Sequence, residues 1–494
     1  MEISTEVLHA HRQLSESSVK FLEYVDQNPE ALKRSNYCRF DEYISTPKTV
    51  IQPWPLFVNK TRRKAMEKAA VDVLNLIIQI PQKIFNNNPH EISNYFHIPV
   101  EQVNLLLSGT QPVHLHDYIS RGDFILSPSG FKCLEYNLST ILGGIEISIW
   151  ERVYLDTLII SEFLKQNKIN ILNQNIVYVL CEHLIDKALE NFANEDEINT
   201  VLLVPNFHAG SKIPPIVMFM SSVYNHLLQQ KRLNLKGNVF YTNYDHQFQV
   251  KKDQVFFQGK RIHTLIEFYN QFAPSEILKV YQAGNVLLLN GPAHHLLGSK
   301  LNLALLSEYQ DSGLFNQQER KLIEKYIPWS RHVTDMETTY ENQEINLKDF
   351  MLDNKDKLVL KPAYGLGGID VFIGRHVGDS QWRALIESTV KNANHGGNEN
   401  SNNNLNVPLN NWSQSDEPVF GVNKWLVQEY VQSRPYLFQR GEEGCAEHHI
   451  VWGFFVFGST YSGGWVRLLP VTSDQGIINR NQGAEECVVF EVDE

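Results

Sequence analysis

The first 115 residues carry mostly the apolar spacing of helices. In residues 64–85, KAMEKAAVDVLNLIIQIPQKIF, apolar side chains recur every three or four positions, which is typical of amphipathic helices. We therefore predict a helical N-terminal region over residues 1–115. Its sequence offers no motif that points to chemistry.

The pattern changes to short extended runs near residue 117. Residues 117–137 read as two strands separated by Ser-Pro-Ser-Gly, which predicts a β-hairpin. Helical spacing then returns, as in ISIWERVYLDTLIISEFLKQ, and continues to about residue 195. Residues 116–195 are therefore predicted to form a second unit, a hairpin followed by helices.

Residues 196–300 alternate short apolar strands with helical segments. The strands include TVLLV, NVFYT and VLLL, together with a hairpin-like QVFFQGKRI. Because strands that alternate with helices usually form parallel sheets, we predict an α/β middle domain with a partly parallel sheet.

Residues 301–494 begin with helices and continue with the strands KLVLKP, WLVQEYV, HHIVWGFFVFG and GGWVRLLPV. Residues 392–411 are rich in Asn and Gly, and we predict that they form a mobile surface insertion because they are too polar to pack a core. The predicted fold class for the whole chain is mixed, α+β or α/β.

The overall charge narrows the classes of partner. The chain has 494 residues, 44 of them basic and 56 acidic, and a net charge of −12. Broad contact with nucleic acid or with an anionic membrane is therefore not expected, and an anionic ligand would require a local basic pocket. No run approaches the roughly 20 apolar residues of a membrane span.

The cysteines favour a reducing compartment. There are five, at positions 38, 133, 181, 445 and 487, and none forms a CxxC pair. Neither a disulfide framework nor a structural zinc site is predicted, and the expected location is the cytoplasm.

The predicted hairpin gathers polar side chains on one face. We predict that Pro128, Ser129 and Gly130 form a three-residue loop, so that residue 127 faces residue 131. Counting outward pairs residue 123 with residue 135 and residue 121 with residue 137. Since side chains alternate along a strand, the set on this face is Arg121, Asp123, Glu135 and Asn137.

This polar cluster has three interpretations. Oxygen ligands from Asp, Glu and Asn suit Mg²⁺ or Mn²⁺, particularly when phosphates complete the coordination. The same residues also fit a solvated sheet face with a chance cluster of charges. A pair of catalytic carboxylates for glycosidic cleavage is the third interpretation.

Two later segments favour a polyphosphate ligand. In KLVLKPAYGLGGIDVFIG, Lys361 ends an apolar strand and Gly365, Gly367 and Gly368 follow, so that a point charge and backbone N–H groups lie close together. In WLVQEYV, residues 428–431 end another apolar strand, where main-chain groups are positioned to bind a purine edge.

Taken together, these segments resemble the ATP-grasp superfamily in its circularly permuted form, which includes glutathionylspermidine synthetase. The resemblance is carried by RGDFILSPSGFKCLEYN, GPAHHLLGSKLNLALL, YIPWSRHV, KLVLKPAYGLGGIDVFIG, WLVQEYV and GSTYSGGWVRLLPVTSDQGIINRNQGA, in that order. It covers residues 115–494. The acid-x-Asn strand precedes the lysine strand here, which is the sign of the permuted order.

The resemblance implies a role for each matching residue. It implies that ATP and Mg²⁺, with Mn²⁺ as an alternative metal, are the cofactors. The implied metal ligands are Asp123, Glu135 and Asn137, and the implied catalytic cations are Arg121, beside the transferred phosphoryl group, and Arg467. The implied nucleotide contacts are Lys361, Gly365, Gly367, Gly368, Gln428, Glu429, Tyr430 and Val431, and Arg331 is a candidate for a further phosphate contact.

The activity implied by the resemblance is that of an ATP-dependent carboxylate–amine ligase. Its partners would be a small-molecule or peptide carboxylate and an amine. Two alternatives stay open, namely ATP-dependent phosphoryl transfer to another acceptor and a nucleotide-binding scaffold without turnover.

Loops at strand ends in the middle domain supply candidate substrate residues, since ligands often bind at the ends of strands in open α/β sheets. The candidates are His208, Lys212 and Lys300. Cys133, two residues before Glu135, is expected to be a packed core residue rather than a nucleophile.

Overall fold

A computed structural model provides the structure of the chain. It describes residues 3–29, 50–108, 118–138, 142–172, 174–204, 213–243, 248–267, 273–291, 294–365, 368–394, 424–440, 444–473 and 476–494. The predicted insertion, residues 392–411, lies almost wholly outside these ranges. None of the helices in the described residues is long and apolar enough to cross a membrane.

The helices include the segments that the three- and four-residue spacing predicted, such as residues 64–85 and 147–166, and others that it did not single out. They are α1 (Thr5–Leu14), α2 (Glu16–Gln27), α3 (Lys60–Ile78), α4 (Ile80–Phe85), α5 (Pro89–Phe96), α6 (Val100–Ser108), α7 (Ile147–Leu155), α8 (Leu158–Asn167), α9 (Ile176–Asn191), α10 (Pro215–Lys231), α11 (Ser275–Gln282), α12 (His294–Leu297), α13 (Leu301–Glu308), α14 (Gln317–Tyr326), α15 (Leu347–Asp353) and α16 (Asp379–Asn394).

The strands include every apolar run that the sequence predicted as extended. They are β1 (Leu56–Asn59), β2 (Ile119–Ser127), β3 (Gly130–Asn137), β4 (Thr200–Leu203), β5 (Val239–Thr242), β6 (Gln249–Lys251), β7 (Gln254–Phe257), β8 (Lys260–Ile262), β9 (Thr264–Glu267), β10 (Leu287–Leu288), β11 (Ser330–His332), β12 (Glu337–Tyr340), β13 (Gln343–Asn346), β14 (Leu358–Pro362), β15 (Phe372–Ile373), β16 (Trp425–Glu429), β17 (Tyr436–Arg440), β18 (Gly444–Phe457), β19 (Thr460–Pro470) and β20 (Glu485–Val492).

The largest sheet joins distant parts of the chain. Its seven strands have the order β1-β20-β19-β18-β2-β3, and β17 also pairs with β18. Strand β1, from the predicted helical N-terminal region, pairs in parallel with β20 at the other end of the sequence. Buried aromatic residues such as Phe124, Trp452 and Phe454 fill one face of this sheet, which therefore forms the main core.

Four smaller sheets accompany it among the described residues, and two of them, β6-β7-β8 and β12-β13, are short antiparallel sheets. Strands β10-β9-β4-β5 pair entirely in parallel, as the alternation of strands and helices in residues 196–300 predicted. Strands β11-β16-β14-β15 form an antiparallel sheet, with α15 and α16 supplying part of its separate apolar core. The observed fold is thus mixed, with helices and both kinds of sheet.

The hairpin β2–β3 has the predicted pairs but not the predicted loop. Ser127 pairs directly with Gly130, so the loop has two residues rather than three, and the predicted pairing of residue 127 with residue 131 is wrong. A β-bulge then inserts Leu134 between the pairs Phe124–Cys133 and Asp123–Glu135. This extra residue restores the predicted pairs Asp123–Glu135 and Arg121–Asn137.

Candidate functional site

A cavity of about 250 Å³ lies between the seven-stranded sheet and the antiparallel sheet that contains β14 and β16. It brings together predicted site residues from four separate segments of the chain. Those that line it are Asp123, Glu135, Lys361, Gly368, Gln428, Glu429, Tyr430, Val431 and Arg467. The predicted acids, cations and strand end therefore share one half-open cavity.

At one end of the cavity the carboxylate of Asp123 is held by two arginines. Arg121 Nε donates to Oδ1 at 2.7 Å and Arg121 Nη2 donates to Oδ2 at 3.0 Å, which is the two-pronged geometry of a strong guanidinium–carboxylate pair. Arg467 Nη2 donates to Oδ2 at 2.6 Å. Asp123 is only 2% exposed, so this network is almost fully shielded from solvent.

Arg121, predicted to lie beside the transferred phosphoryl group, is placed outside the cavity lining. Its third nitrogen, Nη1, donates to the Gly143 carbonyl at 2.7 Å, and its side chain does not line the cavity. Gly453 on the neighbouring strand has no side chain, and the side chain of Arg121 fills the space above it. Arg121 therefore lies behind Asp123. It holds a carboxylate in place rather than facing a ligand.

Glu135 also lines the cavity, and its side chain is more exposed than that of Asp123. Lys300 Nζ lies 3.3 Å from Glu135 Oε2, and Asn137 Nδ2 donates to Oε1 at 3.3 Å. Burial raises the pKa of Glu135, but Lys300, a hydrogen bond with Asp123 and the further cations Lys361 and Arg467 lower it more, so the pKa lies well below its ordinary value. Glu135 is therefore ionised at neutral pH. Asn137 does not itself line the cavity, and its side chain is bonded to Glu135, which does.

Lys361 is the buried cation at the centre of the cavity, and it is 7% exposed. Its Nζ donates to the carbonyl of the bulged Leu134 at 3.1 Å and to Gln428 Oε1 at 2.7 Å. Burial lowers the pKa of Lys361 to about 8, because the attraction of Glu135 only partly offsets the cost of burying the charge. Gln428 in turn donates to Ser330 Oγ at 3.1 Å, so it positions the lysine.

The predicted glycine turn is placed only in part. Gly368 lines the cavity with a φ of +70°, whereas Gly365 lies outside the lining and its carbonyl accepts from Lys300 Nζ at 2.8 Å. Gly367 lies outside the described residues.

The strand end over residues 428–431 lines the cavity, but part of its main chain is already bonded. The N–H of Glu429 donates to the Trp329 carbonyl at 2.8 Å, and the N–H of Tyr430 donates to the Lys357 carbonyl at 2.7 Å. These two donors cannot bind a purine edge without breaking the contacts between strands. The guanidinium of Arg375 stacks 3.9 Å from the centre of the Tyr430 ring at the same wall.

Sequence reasoning missed several lining residues. Ile125, Val359 and Leu469 lie two positions from Asp123, Lys361 and Arg467 on the same strands, so the alternation of a strand could have identified them. Arg375, His376 and His449 also line the cavity without having been assigned a role from the sequence, as does Asn479, which lies within the segment GSTYSGGWVRLLPVTSDQGIINRNQGA. Lys300, predicted as a substrate candidate of the middle domain, instead joins Glu135 to the glycine turn.

Arg331, the candidate for a further phosphate contact, is absent from the cavity lining. On β11 the neighbouring Ser330 is directed toward Gln428, so the side chain of Arg331 projects from the opposite face. Its guanidinium donates to Thr338 Oγ1, Ser307 Oγ and the Thr339 carbonyl at 2.6–3.0 Å.

Replacing Arg331 by Met should therefore leave nucleotide affinity within about twofold. The free energy of unfolding should fall by about 1–3 kcal/mol, because several buried hydrogen bonds are lost. Calorimetric nucleotide titration and urea unfolding measure the two quantities. A tenfold loss of nucleotide affinity in a folded R331M protein would contradict this placement.

The remaining residues singled out by the sequence are His208, Lys212 and Cys133. His208 and Lys212 lie outside the described residues. Across the described ranges, no group of three or more His, Cys, Asp and Glu side chains is arranged to hold a metal ion. Cys133 is fully buried in the core, and burial raises the pKa of its thiol well above the ordinary value, as expected of a packed residue.

The comparisons with known proteins bear on the fold. No family model matches the sequence, and no curated protein matches it. Among solved structures, the chain is similar to a glutathione synthetase-like effector from Globodera pallida in its apo form, with a TM-score of 0.51 and 11% sequence identity. The alignment covers 94% of this chain and 96% of that chain. Identity this low shows a likeness of fold alone, so the ATP-grasp type and the permuted order both stay predictions.

Proposed function

We propose that the protein is an ATP-dependent carboxylate–amine ligase that forms an amide or peptide bond and releases ADP and phosphate. The observation that carries this proposal is the shared cavity of Glu135, Lys361 and Arg467 with the strand end over residues 428–431. In this one cavity the acid suits a metal ion, the two cations suit phosphates and the apolar wall suits a nucleotide base.

The residues present fit a magnesium ion that arrives with its nucleotide. Glu135 is ionised, lines the cavity and lies beside the amide of Asn137. Mg²⁺ commonly takes one or two protein carboxylates and completes its coordination with phosphate oxygens and water. We assign Glu135 and Asn137 to such a metal, which would neutralise phosphate charge when bound. Asp123, whose oxygens are taken by arginines, acts mainly as their counter-ion.

The reaction follows from the chemistry of a carboxylate, which is a poor acyl donor at neutral pH. In the proposed route a substrate carboxylate oxygen attacks the γ-phosphorus of ATP, and the bond from that phosphorus to the β–γ bridging oxygen breaks to release ADP. An amine then attacks the acyl phosphate, loses a proton and displaces phosphate. Lys361 and Arg467 hold phosphate oxygens and offset their charge, so the protein acts by positioning and electrostatics.

The proposal is tested with purified protein, ATP, Mg²⁺ and pooled amino acids, polyamines and small carboxylic acids. Release of ADP and phosphate that depends on a carboxylate pool is expected, and hydroxylamine should trap the activated acyl group. Release of AMP and pyrophosphate would contradict the acyl-phosphate route. Calorimetry that detects no nucleotide binding to folded protein would contradict the whole proposal. Binding without turnover in every pool would favour a scaffold role.

The pKa of Lys361 makes nucleotide affinity depend on pH. Polyphosphate in the cavity favours the charged lysine and raises its pKa above the value of about 8 in the ligand-free protein. Below about pH 7 the lysine is charged in both states, so it contributes no pH dependence to the affinity. Above about pH 8 binding must take up a proton, so affinity falls by up to roughly tenfold per pH unit.

Calorimetry at pH 8.5 in two buffers of different ionisation enthalpy measures this proton uptake. The K361M variant should bind nucleotide more weakly and show neither the uptake nor the pH dependence. Equal uptake in K361M and in the unaltered protein would assign the proton to another group.

A further inference from the structure

Asp123, Gly453 and Trp465 form one row across three neighbouring strands. Asp123 pairs with Gly453 on β18, and Gly453 pairs with Trp465 on β19. Paired residues project from the same face of a sheet, so the indole of Trp465 stands next to the gap left by a residue without a side chain. A Cβ at Gly453 would lie 3.0 Å from the Trp465 ring and 3.1 Å from Arg121 Cδ, which shows that both side chains fill this gap.

The indole contacts both arginines that hold Asp123. The guanidinium carbon of Arg121 lies 5.1 Å from the centre of the Trp465 ring, and that of Arg467 lies 4.9 Å away. Cation–π contacts at this distance are strongest where solvent is excluded, and Trp465 is only 3% exposed. One ring therefore connects two cations that share one carboxylate.

The ring itself is held from the opposite direction by the loop after the hairpin. A Cβ at Gly144, whose φ is +93°, would approach the Trp465 ring to 2.5 Å, so this backbone packs directly against the indole. The adjacent Gly143 carbonyl accepts from Arg121 Nη1 at 2.7 Å. The two glycines thus fix the ring and one of its arginines together.

We propose that Trp465 is a positioning residue that orients Arg467 toward the ligand in the cavity, an inference that rests on the proposed ATP-dependent function. Arg467 lines the cavity and uses Nη2 to bind Asp123. Its buried Nε has no hydrogen-bond partner among the described residues, so the bond to Asp123 and the contact with the indole hold the guanidinium group. The indole restrains the guanidinium plane, and this restraint reduces the ordering entropy that binding a terminal phosphate would otherwise cost.

The test compares affinities for ATP and ADP, because only ATP presents a γ-phosphate. In W465L the ratio of ATP affinity to ADP affinity should fall by about tenfold, the effect of one desolvated cation–π contact. ADP affinity itself should change by less than about twofold. W465F, which keeps an aromatic ring, should restore most of the ratio.

The chain offers a matched control in Trp329, whose ring lies 4.9 Å from the guanidinium carbon of Arg331 outside the cavity. W329L removes the same kind of contact and should leave the ratio unchanged. An unchanged ratio in W465L would overturn the inference, and so would an equal loss of ATP and ADP affinity, which is the mark of a merely structural role.

A ligand-free measurement separates this inference from the proposed function. In protein labelled at arginine, the Nε–H signal of Arg467, assigned with R467K, should be shifted by the ring current of the indole and protected from exchange. W465L should lose the shift and the protection, and W329L should keep both. If neither nucleotide binds, the proposed function fails, and these signals alone decide whether Trp465 orders Arg467. An unshifted signal in the unaltered protein would overturn the inference.

Discussion

Replacing Glu135 by Gln should lower ATP turnover by a factor on the order of 10²–10³, the loss typical of one electrostatic contact in a reacting site. Glu135 is the ionised carboxylate that lines the cavity and is bonded to Asn137. Glutamine keeps the size of the side chain and can still accept the bond from Asn137, but it removes the negative charge. The cations proposed to hold the phosphates would remain, but the carboxylate proposed to bind the metal of the ligand would be missing.

The measurement is release of ADP and phosphate under saturating ATP, with folding checked by circular dichroism and thermal unfolding. Glu344→Gln is a suitable control, since Glu344 is an exposed residue on β13. E344Q should keep full turnover. If E135Q retained more than a tenth of the turnover of the unaltered protein, Glu135 would not be a metal ligand.

The strands of this chain could be predicted from their local pattern, but their partners could not. The run LFVN is only four residues long and pairs with β20, so the pairing spans more than 400 positions. Further contacts support it, since both Ser17 N and Ser17 Oγ donate to the Glu494 carboxylate. Local alternation carries no information about such distant partners, and the N-terminal region therefore looked purely helical.

The hairpin shows how a correct pairing can come from an incorrect turn. Pro-Ser-Gly is compatible with a three-residue loop, but the actual loop has two residues. The bulge at Leu134 then shifts the register back by one position. Nothing in the sequence marks the bulge, although it matters for the site because the Leu134 carbonyl accepts from Lys361.

The same one-residue sensitivity explains why Lys361 lines the cavity and Arg331 does not. Adjacent residues of a strand project from opposite faces, so a motif that is offset by one position selects the wrong side chain. On β11 it is Ser330, not Arg331, that contacts Gln428. Lys300 follows a short helix rather than a strand, and only the folded chain reveals its contact with Glu135.

Replacing Asp123 by Asn should cause the largest loss of stability in the site. The Asp123 side chain is 3% exposed and neutralises Arg121 and Arg467, whose side chains are 8% and 6% exposed. Removing one partner from a buried ion pair commonly costs about 3–5 kcal/mol, because the remaining charge is left uncompensated. The free energy of unfolding, measured in urea without metal or nucleotide, should fall by this amount.

Arg467→Met is the informative companion to D123N. It removes one cation and leaves Arg121 bonded to Asp123, so the expected loss is smaller, about 1–3 kcal/mol. In the double variant the losses should not add, and a coupling free energy of about 0.5–3 kcal/mol is expected for residues in direct contact. Losses that add within the error of the unfolding curves would mean that the contact between Asp123 and Arg467 contributes little.

The sign of the D123N effect also decides what Asp123 does. If Asp123 and Glu135 were primarily a pair of metal ligands, their carboxylates would repel each other in metal-free protein, and removing one charge would stabilise the fold. Two guanidinium groups on Asp123 and an ammonium group on Glu135 predict the opposite sign. Destabilisation of metal-free D123N therefore supports a counter-ion role for Asp123, and stabilisation would return it to the metal site.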